Sequence, residues 1–391
     1  MKYVVLLGDG MSDRPLEDHG GKTPLQIAST PAMDALAAHG QLGLARTIPD
    51  GMPPGSDVAN MAVLGYDPVQ YYTGRSPIEA ASIGICLAGT DIAFRCNLVT
   101  LAGQDGGLVM QDYSAGHICN ADAEAIIAAL KERFDSDEIM FYAGVSYRHC
   151  MIWHRGKDAM VTTPPHDISD KTVAPYLPSG DGAEKINAIM DGARGVLAGL
   201  GKSANAIWLW GQGRALKIPP FESVYGRRGS VISAVDLVKG LGICAGMSSV
   251  DVPGATGYLD TNYQGKVAAT LRALETDDFV YLHVEAPDEA GHKGSFAEKV
   301  QAIEDFDAQV VQPVIEGLKQ KFGRYRVLLM PDHPTPLAIK THTDEPVPFV
   351  LYDAADAEKE PAAVGYNEPD AAATGLVVEK GWELMKQLIS M

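Results

Sequence analysis

Asp288-Glu-Ala-Gly-His292 places a carboxylate and an imidazole four residues apart, on one face of a helical turn. Asp332-His333 follows the apolar run Arg326–Met330, and His342 comes nine residues after His333, in the segment THTDEP. Asp9 closes the first apolar run, Tyr3–Leu7. Carboxylate and imidazole in this mixture suit divalent Mn, Zn, Co or Mg and not a soft thiolate-bound metal. Each residue taken singly has an ordinary explanation: an aspartate at a strand end caps a turn, and a lone histidine is more often structural. Their joint placement at three strand ends points to a metal centre. Ser56 stands in Gly51–Gly65 (GMPPGSDVANMAVLG), where two prolines and a glycine form an elbow and a helix Asp57–Leu64 is expected to follow. Ser56 there is either an N-cap or a nucleophile held at the positive end of a helix, where a phosphate would also be favoured.

The elements that must carry these residues are apolar runs ending in acid or histidine. Tyr3–Leu7, Phe279–Val284, Arg326–Met330 and Val347–Tyr352 read as strands buried on both faces. Helical spacing appears in Thr30–Ala38, with Thr30 as N-cap and Pro31 at the first position, in Tyr263–Glu275 and in Ser295–Lys319. Strand alternating with helix predicts an α/β fold, a mostly parallel sheet sandwiched by helices with ligands at the carboxyl ends of its strands. Between residues 86 and 250 the pattern changes. Shorter strands are expected at Ile92–Leu101, Ile139–Ala143, Cys150–His154 and Ala206–Trp210, with helices Ala121–Arg133 and Ala183–Ala198 and a hairpin turn at Gly103–Gly107. The expected organisation is therefore a discontinuous core, 1–85 with 251–391, interrupted by an inserted α+β domain, 86–250.

These motifs, in this order, resemble the alkaline phosphatase superfamily and, more narrowly, the shorter archaeal-type branch of cofactor-independent phosphoglycerate mutases. The carriers are Gly8-Asp9-Gly10, GGKTPLQIASTPAMDALAAHG, PPGSDVAN, YTGRSPIEAASIGI, DEAGH, PDH and THTDEPVPF, which span almost the whole chain. The resemblance implies two divalent metal ions, manganese foremost, with Zn, Co or Mg also admitted. It implies Asp288, His292 and His342 as ligands of one, and Asp9, Ser56, Asp332 and His333 as ligands of the other, with Ser56 the catalytic nucleophile. It also implies an insert that closes over the active site and holds the substrate. His117 in SAGHICNADAE, Arg148 in FYAGVSYRH and Arg214 in WLWGQGRALKIP match substrate-contact positions, and Arg75 and Arg95 have weaker support. Arginine suits both anionic ends of phosphoglycerate. The expected reaction is interconversion of 3- and 2-phosphoglycerate through a phosphoserine, without bisphosphoglycerate. A homoserine kinase-like phosphotransferase and a metal-dependent phosphatase are the alternatives. No GxxxxGK[ST] cradle for ATP is present. A metal-stabilised binding module would need no Ser56.

Composition narrows the partners. The 391 residues carry a formal charge of −18, which repels phosphate backbones and anionic lipid, so neither nucleic acid nor membrane is an expected partner. Five cysteines, none in CxxC, fit a reducing cytoplasm. MKYVVLLGDG reads as a first strand and not a signal peptide. The sequence carries no signal for an oligomeric state.

Overall fold

The computed structural model describes residues 1–104, 107–358, 360–362 and 364–390, and divides into two compact units: Met1–Tyr72 with Ile218–Met391, and Thr73–Lys217. In the first unit eight strands form one sheet, in the order Ser248–Ser249, Gly229–Ile232, Phe279–Val284, Lys2–Gly8, Tyr325–Met330, Val347–Asp353, Gln41–Ala45, Val377–Val378. The first five run parallel, and Val347–Asp353 is antiparallel to both its neighbours. Phe279–Val284 is buried along its whole length because helices cover both faces, which is what a run without alternation requires. On one face Val4, Leu6, Val280, Leu282, Val327 and Leu329 pack with Ile303, Phe306 and Val314 of the covering helices.

The expected helix Ser295–Lys319 is interrupted: Phe296–Phe306 and Gln312–Lys321 are joined by a π-helical turn, Asp307–Val311. That turn delivers Asp307 to the start of helix Pro31–His39, where its carboxylate accepts the Met33 and Ala32 amides at 2.7 and 3.2 Å. Thr30 occupies the N-cap position but its side chain caps nothing; its φ of −128° and ψ of 54° are not the extended geometry a capping side chain needs.

The second unit is built on the long strand Ile92–Gln104, which pairs antiparallel with Arg148–Trp153, Ala206–Arg214 and Gly107–Asp112, with Ile139–Val145 outside Arg148–Trp153. Helices Asn120–Phe134 and Ala183–Ala198 pack on this sheet. Gln104 and Gly107 pair as a hairpin would require, although Asp105 and Gly106 of the expected turn lie outside the described residues.

The unit boundaries fall at 73 and 217, not at 86 and 250. Two packing facts move them. Helix Arg75–Ser82 belongs to the second unit: Ser76 Oγ accepts the Arg95 amide and donates to Gly211 O, both at 2.6 Å, and Ala80 packs with Ala93, Cys150 and Ile152. Gly229–Ile232 belongs to the first, as a parallel partner of Phe279–Val284.

Candidate active site

The parallel strands end together, and their next residues form a row of polar side chains. Leu7 pairs with His283, and the Asp9 amide continues the ladder to Val284 O at 2.9 Å. Asp332 and His333 follow the neighbouring strand Tyr325–Met330. Helix Ala286–Lys293 starts directly after Phe279–Val284, which puts Asp288 beside the row and His292 one turn further on. Gly10 must be a glycine: its φ is +62°, and a Cβ would stand 2.6 Å from Thr335 Oγ1 and 2.7 Å from Asp288 Oδ1.

Asp9, Asp288, Asp332 and His333 are all buried. Ligand atoms of Asp9, Asp332 and His333 lie within 4.8 Å of one another, as do those of Asp288, His333 and His342, so His333 stands between two clusters. His292 joins the second, with Nε2 at 2.9 Å from His342 Nε2 and 3.2 Å from Asp288 Oδ2. The tautomers follow from the outer contacts. His292 Nδ1 lies 3.0 Å from the Lys340 carbonyl, so Nδ1 carries a proton and Nε2 is the nitrogen turned to Asp288 and His342. Burial lowers that imidazole, but Asp288 beside it outweighs burial and raises it to about 9, so a cation that binds at Nε2 displaces a proton. The Thr335 hydroxyl donates to Asp288 and lies 3.3 Å from His333 Nδ1, which leaves His333 Nε2 as an acceptor.

Charge is concentrated in this space. Burial, then the charges of Asp332 and Asp288, raise the Asp9 carboxyl well above the usual range, and burial raises Asp332 as well. Burial also pushes Asp288 up, but His292 and His342 outweigh it and hold that carboxyl well below its ordinary value. Burial followed by His342 keeps His333 far below a normal imidazole. Asp9 Oδ1 is buried with no hydrogen-bond partner among the described residues. Convergent lone pairs, an unpartnered carboxylate oxygen and crowded negative charge fit divalent cations.

Ser56 is not the N-cap that one reading of the elbow expects. Gly55 takes that position, and Ser56 is the first residue of helix Ser56–Val63, with its Oγ 3.0 Å from His333 Nε2. The hydroxyl is therefore turned to the cluster instead of to its own helix. One turn on, Asn60 Nδ2 donates to Ser56 O at 2.8 Å and to Asp332 Oδ2 at 2.7 Å, and the Tyr281 hydroxyl donates to Asn60 Oδ1 at 2.7 Å.

In the second unit, His117 and Arg148 both lie against the Tyr147 ring, at 5.8 and 5.0 Å. An aromatic chain runs on through Tyr113, His166 and Trp210, and the guanidinium groups of Arg75 and Arg95 lie 5.9 and 5.6 Å from the Trp210 ring. Arg75 and Arg95 share Glu79, whose carboxyl burial would raise but the two guanidiniums together lower to about 2. Arg214 stands apart, in a bidentate pair with Asp158 at 2.6 and 2.8 Å. Arg227 and Arg228 belong to the first unit, where the Arg228 guanidinium donates to Thr276 O.

A family model described as 2,3-bisphosphoglycerate-independent phosphoglycerate mutase matches residues 37–200. A Geobacter sulfurreducens protein named probable 2,3-bisphosphoglycerate-independent phosphoglycerate mutase is 56% identical over 399 residues, covering 100% of both chains. This chain belongs to the 2,3-bisphosphoglycerate-independent phosphoglycerate mutase family. The Methanosarcina acetivorans member is 47% identical over 405 residues, again with 100% of each chain covered. Among solved structures, a Pyrococcus horikoshii protein superposes with a TM-score of 0.80 at 26% identity, covering 100% of this chain and 96% of that one. The cofactor-independent phosphoglycerate mutase of Thermoplasma acidophilum gives a TM-score of 0.64 at 27% identity, covering 100% and 99%.

The chain is thus an enzyme, an isomerase of the phosphoglycerate mutase family, with the expected α/β fold. Several residues beside its polar cluster escape a reading of sequence alone. His283 sits inside the apolar string FVYLHV, where one histidine looks like core. Asn60 and Tyr281 are ordinary helix and strand residues until the fold joins them. Lys299 is fully buried and donates to Asp13 Oδ2 and Thr335 O at 2.8 Å and to Ser12 O at 3.2 Å. Its only trace in the sequence is a lysine on the buried face of an amphipathic helix. Among the described residues no helix is long and apolar enough to cross a membrane.

Proposed function

We propose that this mutase interconverts 3-phosphoglycerate and 2-phosphoglycerate through a phosphoserine at Ser56, with no bisphosphoglycerate. The observation that carries the reading is the Ser56 hydroxyl at the first position of a helix, 3.0 Å from His333 Nε2 at the edge of the buried acid and imidazole cluster. Asp288, His292 and His342 would hold one divalent cation, and Asp9, Ser56, Asp332 and His333 the other. Bound cations of this kind, Mn foremost with Zn, Co or Mg admitted by the same donors, supply positive charge to phosphoryl oxygens and lower the pKa of an oxygen nucleophile.

The chain's own groups do the rest. Ser56 Oγ forms the new bond to phosphorus as the bond to the glycerate oxygen breaks, and the positive end of helix Ser56–Val63 favours the incoming phosphoryl group. The other glycerate hydroxyl then takes the phosphoryl group back from Ser56, so phosphate is conserved. Asn60 holds the nucleophile's carbonyl and Asp332 at fixed spacing. His117, Arg148 and Arg214 would hold the substrate's anionic groups, and Arg75 and Arg95 lie on the same aromatic chain as His117 and Arg148. The pair of Arg214 with Asp158 is well exposed on both sides, 40% and 36%, so exchanging that carboxylate for one on the substrate costs little.

Phosphorus NMR of enzyme, Mn and 3-phosphoglycerate alone tests the reaction. 2-Phosphoglycerate should form without ATP or bisphosphoglycerate and with little free phosphate. Isomer that appears only after bisphosphoglycerate is added, phosphate released as fast as isomer, or ATP-dependent phosphorylation of homoserine with no isomer would each refute the reading.

A further inference from the structure

Ser233, His283 and Asp9 stand side by side at the carboxyl ends of three adjacent parallel strands. The register pairs Ile232 with Leu282 and Leu7 with His283, so Ser233 lies opposite His283 and Asp9 lies two residues past Leu7 on the same face. His283 is fully buried, at 0% exposure, so bulk solvent does not reach its ring. Its Nε2 lies 2.8 Å from Asp9 Oδ2 and its Nδ1 lies 3.1 Å from Ser233 Oγ. With a cation beside Asp9 its carboxyl is ionised and can only accept, so Nε2 is the donor. Nδ1 is then the acceptor and takes the Ser233 hydroxyl proton, while Ser233 Oγ itself accepts the Val235 amide at 3.0 Å. The relay is fully paired, and it points one way. It occupies Asp9 Oδ2 and leaves Oδ1, the oxygen without a hydrogen-bond partner among the described residues, on the side of His333.

We infer that His283 is a positioning residue for the metal centre: its Nε2–H fixes the Asp9 carboxylate with Oδ1 presented to the cation, and Ser233 fixes the tautomer that makes this possible. Outer partners of this kind hold a ligand's orientation and basicity, and losing one typically weakens metal binding 10- to 100-fold. The inference rests on the two-cation reading above and adds to it a residue pair that never touches substrate.

The test titrates metal-stripped protein with Mn(II) alone, following free Mn by electron paramagnetic resonance, with thermal unfolding in EDTA as the check on folding. Wild type should bind two equivalents. His283→Leu should keep one, at Asp288, His292 and His342, and bind the other about 10- to 100-fold more weakly. His283→Gln, whose amide N–H can reach where Nε2 stood, should recover most of that loss, which a purely space-filling role would not predict. Ser233→Ala should weaken the same equivalent and spare the other. Should His283→Leu fail to fold in EDTA, the Gln and Ser233 variants decide. Wild-type affinity for both equivalents in His283→Leu, or in Ser233→Ala, would overturn the inference, as would no recovery in His283→Gln. A wild-type chain that binds no Mn would instead overturn the two-cation reading, and the inference with it.

Discussion

Ser56 stands at the first helical position, and that placement decides what its removal costs. A serine N-cap replaced by alanine loses about 1 kcal/mol. Here Gly55 is the cap and the Ser56 hydroxyl faces His333, so Ser56→Ala removes no backbone hydrogen bond and introduces a better helix former. The variant should lose mutase turnover while its unfolding free energy stays within about 0.5 kcal/mol of wild type. Turnover near the wild-type rate, or a loss of stability as large as a cap's, would contradict this placement. At this scale the sequence was legible wherever a residue type was unusual for its surroundings. Asp9, Asp288, His292, Asp332, His333 and His342 lie at strand ends or on a polar turn, and the structure brings all six together with Ser56. His283 was not legible, because its partners Asp9 and Ser233 are 274 and 50 residues away. A lone polar residue in an apolar string announces no partner.

At the scale of elements, continuous apolar runs marked the three central parallel strands, Lys2–Gly8, Phe279–Val284 and Tyr325–Met330, to within a residue or two, while the short parallel strands Gly229–Ile232 and Ser248–Ser249 carry no such run. The caps and joints were less legible, because they are tertiary. Asp307 caps Pro31–His39 from a π turn 275 residues away, a role that the local signal assigned to Thr30. Lys299 is the joint that carries a prediction. It reaches from helix Phe296–Phe306 to pin Ser12, Asp13 and Thr335, and Thr335 in turn contacts Asp288 and His333. Lys299→Met would leave the buried Asp13 carboxylate without its cation. Urea unfolding should show a loss of about 3–5 kcal/mol, and a loss under 1 kcal/mol would mean that the pair is dispensable.

On the scale of the whole molecule, the two units answer to different perturbations. The second contains Glu79 between Arg75 and Arg95, with its carboxyl lowered from the ordinary 4.5 to about 2. A folded value below the unfolded one means stabilisation that is fully present above about pH 4.5 and lost as pH falls towards about 2. A gap of that size is on the order of 3 kcal/mol. Unfolding followed through the tryptophans should therefore fall more steeply with acid in wild type than in Glu79→Gln, and equal slopes between pH 4.5 and 3 would contradict the assignment. The first unit should respond to metal. EDTA should abolish turnover and lower the melting temperature, and Mn should restore both, adding about 2.7 kcal/mol of stability at 100 times its Kd. Full turnover in protein shown metal-free by elemental analysis would exclude a metal-dependent centre. The division itself was only half legible. An interruption of the core was visible in the change of strand pattern, but its edges were not, because helix Arg75–Ser82 and the short strand Gly229–Ile232 are assigned by what they pack against and not by composition.

The measurement that bears most directly on the central claim is the fate of Ser56 during turnover. Enzyme and 3-phosphoglycerate, mixed without ATP or bisphosphoglycerate and quenched in acid within one turnover, should yield a peptide phosphorylated at Ser56, detected by mass spectrometry. The label should rise and decay at rates that account for 2-phosphoglycerate formation, and Ser56→Ala should give neither label nor isomer. Isomer formed at the full rate with Ser56 unmodified, or with the phosphoryl group on another side chain, would contradict the account.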